Sequence, residues 1–201
     1  MQNLSDEELV RYFLSGREES FRVLFERHYK KVFSLSYRFC GMDSNMAEEA
    51  TQETFLQVYK SLGRFQFKSS FYTWLYRVTF NTCSILVKKD TRIRLKPIEG
   101  LEDSLMAIDG REPQESLVRK EHQSLVSEVM RSLPEEHRQV MILGPLMGLS
   151  YQEISEVLGE SVAVIKGRLF RARQKFKKNF ERIYGGDNFL TLSATNQSEN
   201  P

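Results

Sequence analysis

The sequence predicts an all-α protein: two small helical domains joined by a flexible linker, the second of them a helix-turn-helix domain. Three observations carry this. Apolar residues recur at spacings of three and four along most of the chain, which places them on single faces of helices. Two Ser-x-x-Glu signatures, Ser5 with Glu8 and Ser150 with Glu153, mark helix starts. No segment alternates apolar and polar residues strongly enough to read as a strand, and no internal repeat is present.

The elements follow in order. After Ser5, Leu9, Val10 and Phe13 give the first helix, which Gly16 ends. Phe21, Leu24, Phe25, Tyr29, Val32, Phe33 and Leu35 form the broad apolar face of a second helix up to Gly41. Ser44 is the expected N-cap of a third, with Ala47, Ala50, Phe55, Leu56 and Tyr59 inward and Gly63 as its end. The segment from Arg64 to Ser69 is a loop, and a fourth helix runs from near Ser70 to about Lys89. Periodicity then disappears among Pro97, Gly100, Gly110 and Pro113, as in a linker. Helical spacing resumes at Leu117, Leu125, Val126 and Val129. Pro134 restarts a helix with Glu135 and Glu136 in its first turn. Gly144-Pro145 should end or kink that helix, because Pro145 has no N–H for the carbonyl of Met141. The expected boundaries are residues 1–92, 93–115, 116–184 and a disordered polar tail over 185–201.

Composition narrows the function classes. The 201 residues carry a net charge of only +2, with 28% charged and 40% apolar residues, so bulk charge points to no partner. The charge is clustered instead. From Ser161 to Asn179 there is no acid, while Lys166, Arg168, Arg171, Arg173, Lys175, Lys177 and Lys178 crowd together. Glu48, Glu49 and Glu53 cluster elsewhere, as a solvated face or a docking surface for a protein. Cys40 and Cys83 have no Cys or His at metal-ligand spacing, so they read as reduced, partly buried thiols. His28, His122 and His137 form no metal or triad pattern, and no Gly-rich phosphate loop occurs. No catalytic residue, metal or cofactor is expected. The start is acidic rather than apolar, and no run of about 18 apolar residues exists. The expected location is cytoplasmic, without membrane insertion.

The most informative stretch is Gly148 to Arg173. Ser150 and Glu153 start one helix, Ile154, Val157 and Leu158 face inward, and Gly159 supplies the left-handed turn. Ser161 caps the next helix. At 100° per residue, Val162, Ile165, Leu169, Ala172 and Phe176 form its inward stripe. The opposite stripe holds Ala163, Gly167, Phe170, Arg171, Gln174 and Lys178, with Lys166 at its edge. A helix of this kind, held by a short helix in front of it, suits the major groove of DNA. Lys166 and Arg171 can reach phosphates or guanine edges, and Phe170 a thymine methyl. Gly167 costs about 1 kcal/mol against Ala in mid-helix. Close approach of backbone to DNA would account for it.

In the first domain, Phe65, Phe67, Phe71, Tyr72, Trp74, Tyr76 and Phe80 are interleaved with Lys68 and Arg77, which suits stacking on unpaired bases. Phe71, Trp74 and Leu75 read as core. The loop residues Phe65, Gln66 and Lys68, together with Asn81, are the candidates for contact with nucleic acid.

These residues resemble the extracytoplasmic-function (ECF) group of sigma-70 family factors. The segment Ala47 to Leu56 is similar to the family's core-polymerase-binding segment. Phe71 to Val78 with Asn81-Thr82 is similar to its promoter-melting segment, and Ser132 to Arg138 with the helix-turn-helix to its C-terminal domain. The resemblance covers nearly the whole chain apart from linker and tail. It implies that Gln52, Glu53 and Leu56 dock core RNA polymerase at the beta-prime clamp helices, the C-terminal domain meeting the beta flap. It implies that the Arg64 to Ser69 loop captures a flipped base of the −10 element beside Asn81. It implies that Lys166, Gly167, Arg168, Phe170 and Arg171 read the −35 element, and that an anti-sigma factor regulates the chain. Gly167 stands where Ser is common in the family. A rival reading is an autonomous helix-turn-helix regulator, which would bind DNA without polymerase. A second is a helical adaptor that binds protein and no DNA.

Overall fold

The computed structural model describes residues 1, 3–89 and 125–185, and among these every regular element is a helix. The expected linker over 93–115 and nearly all of the expected tail lie outside the described residues. The chain divides into two compact units. One takes its described residues from Met1–Pro97 and Met147–Val162, the other from Ile98–Leu146 and Ala163–Pro201.

The first unit opens with α1 (Asp6–Leu14), α2 (Glu19–Phe39), α3 (Ser44–Ser61) and α4 (Phe71–Lys89). The Ser5 capping box forms: Glu8 N–H donates to Ser5 Oγ at 3.2 Å and Ser5 N–H to Glu8 Oε2 at 2.7 Å. The cap of α3 is Asp43 rather than Ser44. Its carboxylate accepts from Met46 N–H at 2.9 Å, and Ser44 is already helical. The chain turns into this cap through Gly41 and Met42, both left-handed, at φ 71° and 70°. After Ser61 a single 3₁₀ turn, Leu62–Arg64, leads into the loop before α4.

Leu9, Val10, Leu24, Val32, Phe55, Val58, Leu62, Phe65, Phe71 and Leu75 make the core of this unit. Leu56 and Tyr59 depart from the inward positions expected of them, being 45% and 41% exposed. Residues 47, 51, 54, 55 and 58 already fill the buried arc of α3, and 56 and 59 fall outside it. The short helix α6 (Tyr151–Leu158) lies on α4 within the same unit. Arg77 Nε donates to the Glu156 carbonyl at 2.7 Å, and Thr73 Oγ1 to Glu153 Oε1 at 3.4 Å.

Two acids of α1 tie the unit together. Glu7 Oε1 accepts from the Phe71 N–H at 2.9 Å, satisfying a donor in the first turn of α4. Asp6 accepts from buried His28 at 2.7 Å and from the Arg27 guanidinium. Burial works to raise the Asp6 pKa, but the hydrogen bonds and charges of His28 and Arg27 outweigh it and hold the carboxyl below its usual value. A carboxyl with a depressed folded-state pKa adds stability above its unfolded value, near 4, and loses it as pH falls through the folded value. Asp6→Asn is therefore expected to cost about 1–3 kcal/mol at neutral pH. It should also flatten the acid side of the stability profile, as read from urea unfolding across pH.

The second unit holds helical residues 125–131, α5 (Glu135–Met141) and α7 (Val162–Tyr184). Pro134 is the N-cap of α5, one position before the first helical residue. The expectation for Pro145 is met in a specific form. The α-helix stops at Met141 and continues as a single π turn, Ile142–Leu146, with Pro145 inside it. Widening the turn removes the need for the hydrogen bond that proline cannot donate. Val129, Met130, Leu133, Val140, Ile142 and Leu143 are buried here, as are Ile165, Leu169, Ala172 and Phe180 of α7. The far half of α7 is tied down by Asn179, whose Nδ2 donates to Ser132 Oγ at 2.7 Å, and by Tyr184, whose hydroxyl donates to Glu128.

Candidate nucleic-acid interface

The turn before α7 is built as its residues dictate. At α6, Glu153 N–H donates to Ser150 Oγ at 3.3 Å and Ser150 N–H to Glu153 Oε2 at 2.8 Å. The bonds from Ser150 hold the Glu153 carboxyl below its usual range. Gly159 closes α6 at φ 70°, its N–H donating to the Ser155 carbonyl. This φ suits glycine, which has no Cβ to clash. Helix α7 begins three residues later.

On α7 the two stripes separate as the 100° rule requires. Ile165, Leu169 and Ala172 are buried, with Val162 and Phe176 partly so. Lys166, Phe170, Arg171, Gln174 and Lys178 are exposed. Phe170 is 65% exposed, a large aromatic ring offered to solvent beside cations. The Arg171 guanidinium folds back over Gly167: a Cβ built on that glycine would lie 3.4 Å from Arg171 Nη1. Arg168 differs from the other candidates. Its side chain is mostly covered and pairs with Glu136 at 3.6 Å, so it braces α7 within its own unit.

Gly167→Ala tests this arrangement. The glycine has helical backbone, and the new methyl meets only the far end of a flexible side chain. The variant is expected to gain about 0.5–1 kcal/mol in urea unfolding. The methyl would sit in van der Waals contact with the Arg171 guanidinium.

In the first unit the structure rearranges the sequence candidates. Phe65 is 5% exposed and packs on Phe67, Phe71 and Trp74 at ring distances of 4.7, 6.1 and 5.4 Å. It anchors the loop in the core and presents no face for a base. Its place at the surface is taken by Phe67, 36% exposed and left-handed at φ 56°. The Arg11 guanidinium stands 4.9 Å over the Phe67 ring. Phe67 belongs to the aromatic group expected to stack on bases, but Phe65 is the loop aromatic expected at the surface, and periodicity does not foresee which of the two turns inward. Gln66, Lys68 and Asn81 are exposed, as expected. The aromatics of α4 are mainly structural: Phe71 and Tyr76 are buried, and Phe80 packs on Phe39.

On α3, Gln52 and Leu56 are exposed and Glu53 is half-buried, accepting from Gln57 Nε2 at 2.6 Å. With Tyr59 they make a polar and apolar ridge on one helix. Among the described residues no group of three or more His, Cys, Asp or Glu is placed to hold a metal ion. No helix there is long and apolar enough to cross a membrane.

The elements so described coincide with known sequence families. Residues 24–93 match Sigma-70 region 2, and residues 123–176 match Sigma-70, region 4. The chain is 32% identical over 184 residues to the RNA polymerase sigma-H factor of Pseudomonas aeruginosa, covering 89% of this chain and 95% of that protein. It is 32% identical over 179 residues to the ECF RNA polymerase sigma-E factor of Escherichia coli, covering 86% and 93%. Among solved structures, the fold is similar to that of CnrH in complex with the cytosolic domain of CnrY. The TM-score is 0.67 at 23% identity, covering 89% of this chain and 98% of that one. It is also similar to the sigma factor RpoE in complex with the anti-sigma factor NepR from Bartonella quintana, with TM-score 0.62 at 18% identity, covering 81% and 98%. The chain belongs to the extracytoplasmic-function group of the sigma-70 family, the factors that direct promoter-specific transcription initiation by RNA polymerase.

Proposed function

We propose that this chain docks on core RNA polymerase through the α3 ridge of Gln52, Glu53, Leu56 and Tyr59, and reads its promoter at two points. Lys166, Phe170 and Arg171 of α7, with Gly167 beneath the arginine, meet the −35 element. Gln66, Phe67, Lys68 and Asn81 meet unpaired bases of the −10 element. The observation that carries this reading is the outer face of α7 up to Asn179, which holds no acid and where an exposed aromatic ring stands among cations over a buried apolar stripe. Cations supply phosphate and guanine contacts, and an aromatic edge supplies contact with a thymine methyl.

The energetics are those of a bivalent clamp. Neither DNA contact needs to be tight, because polymerase holds both reading surfaces and supplies effective concentration. The chain itself does no catalysis in this scheme. The two similar solved structures contain protein partners, and an anti-sigma factor covering the polymerase-binding face is the corresponding regulator here.

The polymerase contact is tested by Leu56→Ala. The side chain is exposed, so the fold should not suffer. Affinity for core polymerase, measured by fluorescence titration of the labelled chain, is expected to fall about 10-fold. Unchanged affinity would remove Leu56 and its ridge from the interface.

A further inference from the structure

Cys40 and Cys83 lie 43 residues apart in sequence, and neither belongs to the polymerase-binding or DNA-reading surfaces. The fold brings them together. Cys40 ends α2, Cys83 is on α4, and the two pack with Met46 and Ala50 in a small core of their own, rimmed by Phe39, Leu86 and Val87. Both are free thiols, 0% and 1% exposed. Within this core the two thiols influence each other, which pushes the Cys40 thiol up and draws the Cys83 thiol down.

A second observation points to the same pair. The Ser36 hydroxyl, one turn before Cys40 on α2, is fully buried and has no hydrogen-bond partner among the described residues. A buried hydroxyl without a partner costs about 1–3 kcal/mol, so it normally answers to something. Ser36 stands beside the Cys83 sulfur without making a hydrogen bond to it. A thiolate or sulfenate at Cys83 would accept its proton.

We propose that Cys40 and Cys83 are a peroxide-oxidisable dithiol that closes to a disulfide between α2 and α4. The Cys83 sulfur gives up its proton and attacks one oxygen of hydrogen peroxide. The O–O bond breaks, and the departing hydroxide takes the proton released by the thiol and leaves as water. Cys83 becomes a sulfenic acid. Cys40 sulfur then attacks Cys83 sulfur, the S–O bond breaks, and a second water leaves with the Cys40 proton. Peroxide gains two electrons and the two thiols lose them. The bond joins the end of α2, three residues before the cap of α3, to the helix that carries Asn81. In reducing compartments such bonds are usually transient and sensory, which fits a pair held in reach but kept reduced.

The test treats the folded full-length chain with hydrogen peroxide, alkylates remaining thiols after unfolding, and reads intact and peptide masses. The expected product is a monomer lighter by two hydrogens, with the Cys40 and Cys83 peptides linked and neither alkylated. Cys40→Ala should instead stop at a Cys83 sulfenic acid that dimedone traps, provided circular dichroism shows the variant folded. If it is not folded, the wild-type masses decide alone. Both thiols alkylated after peroxide, linkage only between chains, or oxidation only in denaturant would each overturn the proposal.

Discussion

Arg171→Ala is expected to lower promoter-specific transcription about 10–100-fold while leaving affinity for core polymerase unchanged. The magnitude follows from one arginine contact to a guanine edge, worth about 1–3 kcal/mol of discrimination. The separation follows from geometry. Arg171 is exposed, lies over Gly167 and contributes nothing to the buried stripe of Ile165, Leu169 and Ala172. Its loss should therefore shift urea unfolding by no more than about 0.5 kcal/mol. A panel of −35 variants refines the result. Loss confined to one base pair marks a base-edge contact, whereas uniform loss with a salt slope reduced by about one marks a phosphate contact. Full activity on every promoter would remove Arg171 from the interface.

Phe71→Ala is expected to act in the opposite sense, through the fold. Phe71 is 1% exposed and its ring meets those of His28, Phe65 and Trp74 at 5.6, 6.1 and 6.0 Å. Removing a buried phenyl group costs about 3–5 kcal/mol. That is a large share of the 5–15 kcal/mol that typically holds a domain. The same cavity releases Phe65, the inner anchor of the loop that carries Gln66, Phe67 and Lys68. Urea midpoints should fall sharply, and polymerase binding and −10 opening should fail together. Near-wild-type stability would mean that the cavity refills, and that the loop has another anchor.

These two residues show what the sequence could and could not disclose. Local rules were enough for the helix-turn-helix: the Ser150–Glu153 box, Gly159 and the inward stripe of α7 all depend on neighbours within about four residues. The break at Pro145 was legible for the same reason, although its resolution as a π turn was not. Phe71 as core was also readable from helical spacing. Phe65 and Phe67 were not separable, because a loop has no period and its inner aromatic is chosen by a partner on another helix. Leu56 and Tyr59 passed as inward because α3 carries more apolar residues than its buried arc can hold. The pairing of Cys40 with Cys83 is a tertiary fact, and sequence spacing contains no trace of it.

As a promoter-specificity factor, this chain gives core polymerase a selectivity that neither component has alone. The direct measurement is run-off transcription from a library of genomic fragments, with purified chain, purified core polymerase, and the two combined. Discrete transcripts are expected from a small set of fragments only in the combined reaction, with Arg171→Ala weakening them and Leu56→Ala raising the amount of chain required. Background transcription in the combined reaction, or tight promoter binding by the chain without polymerase, would contradict it.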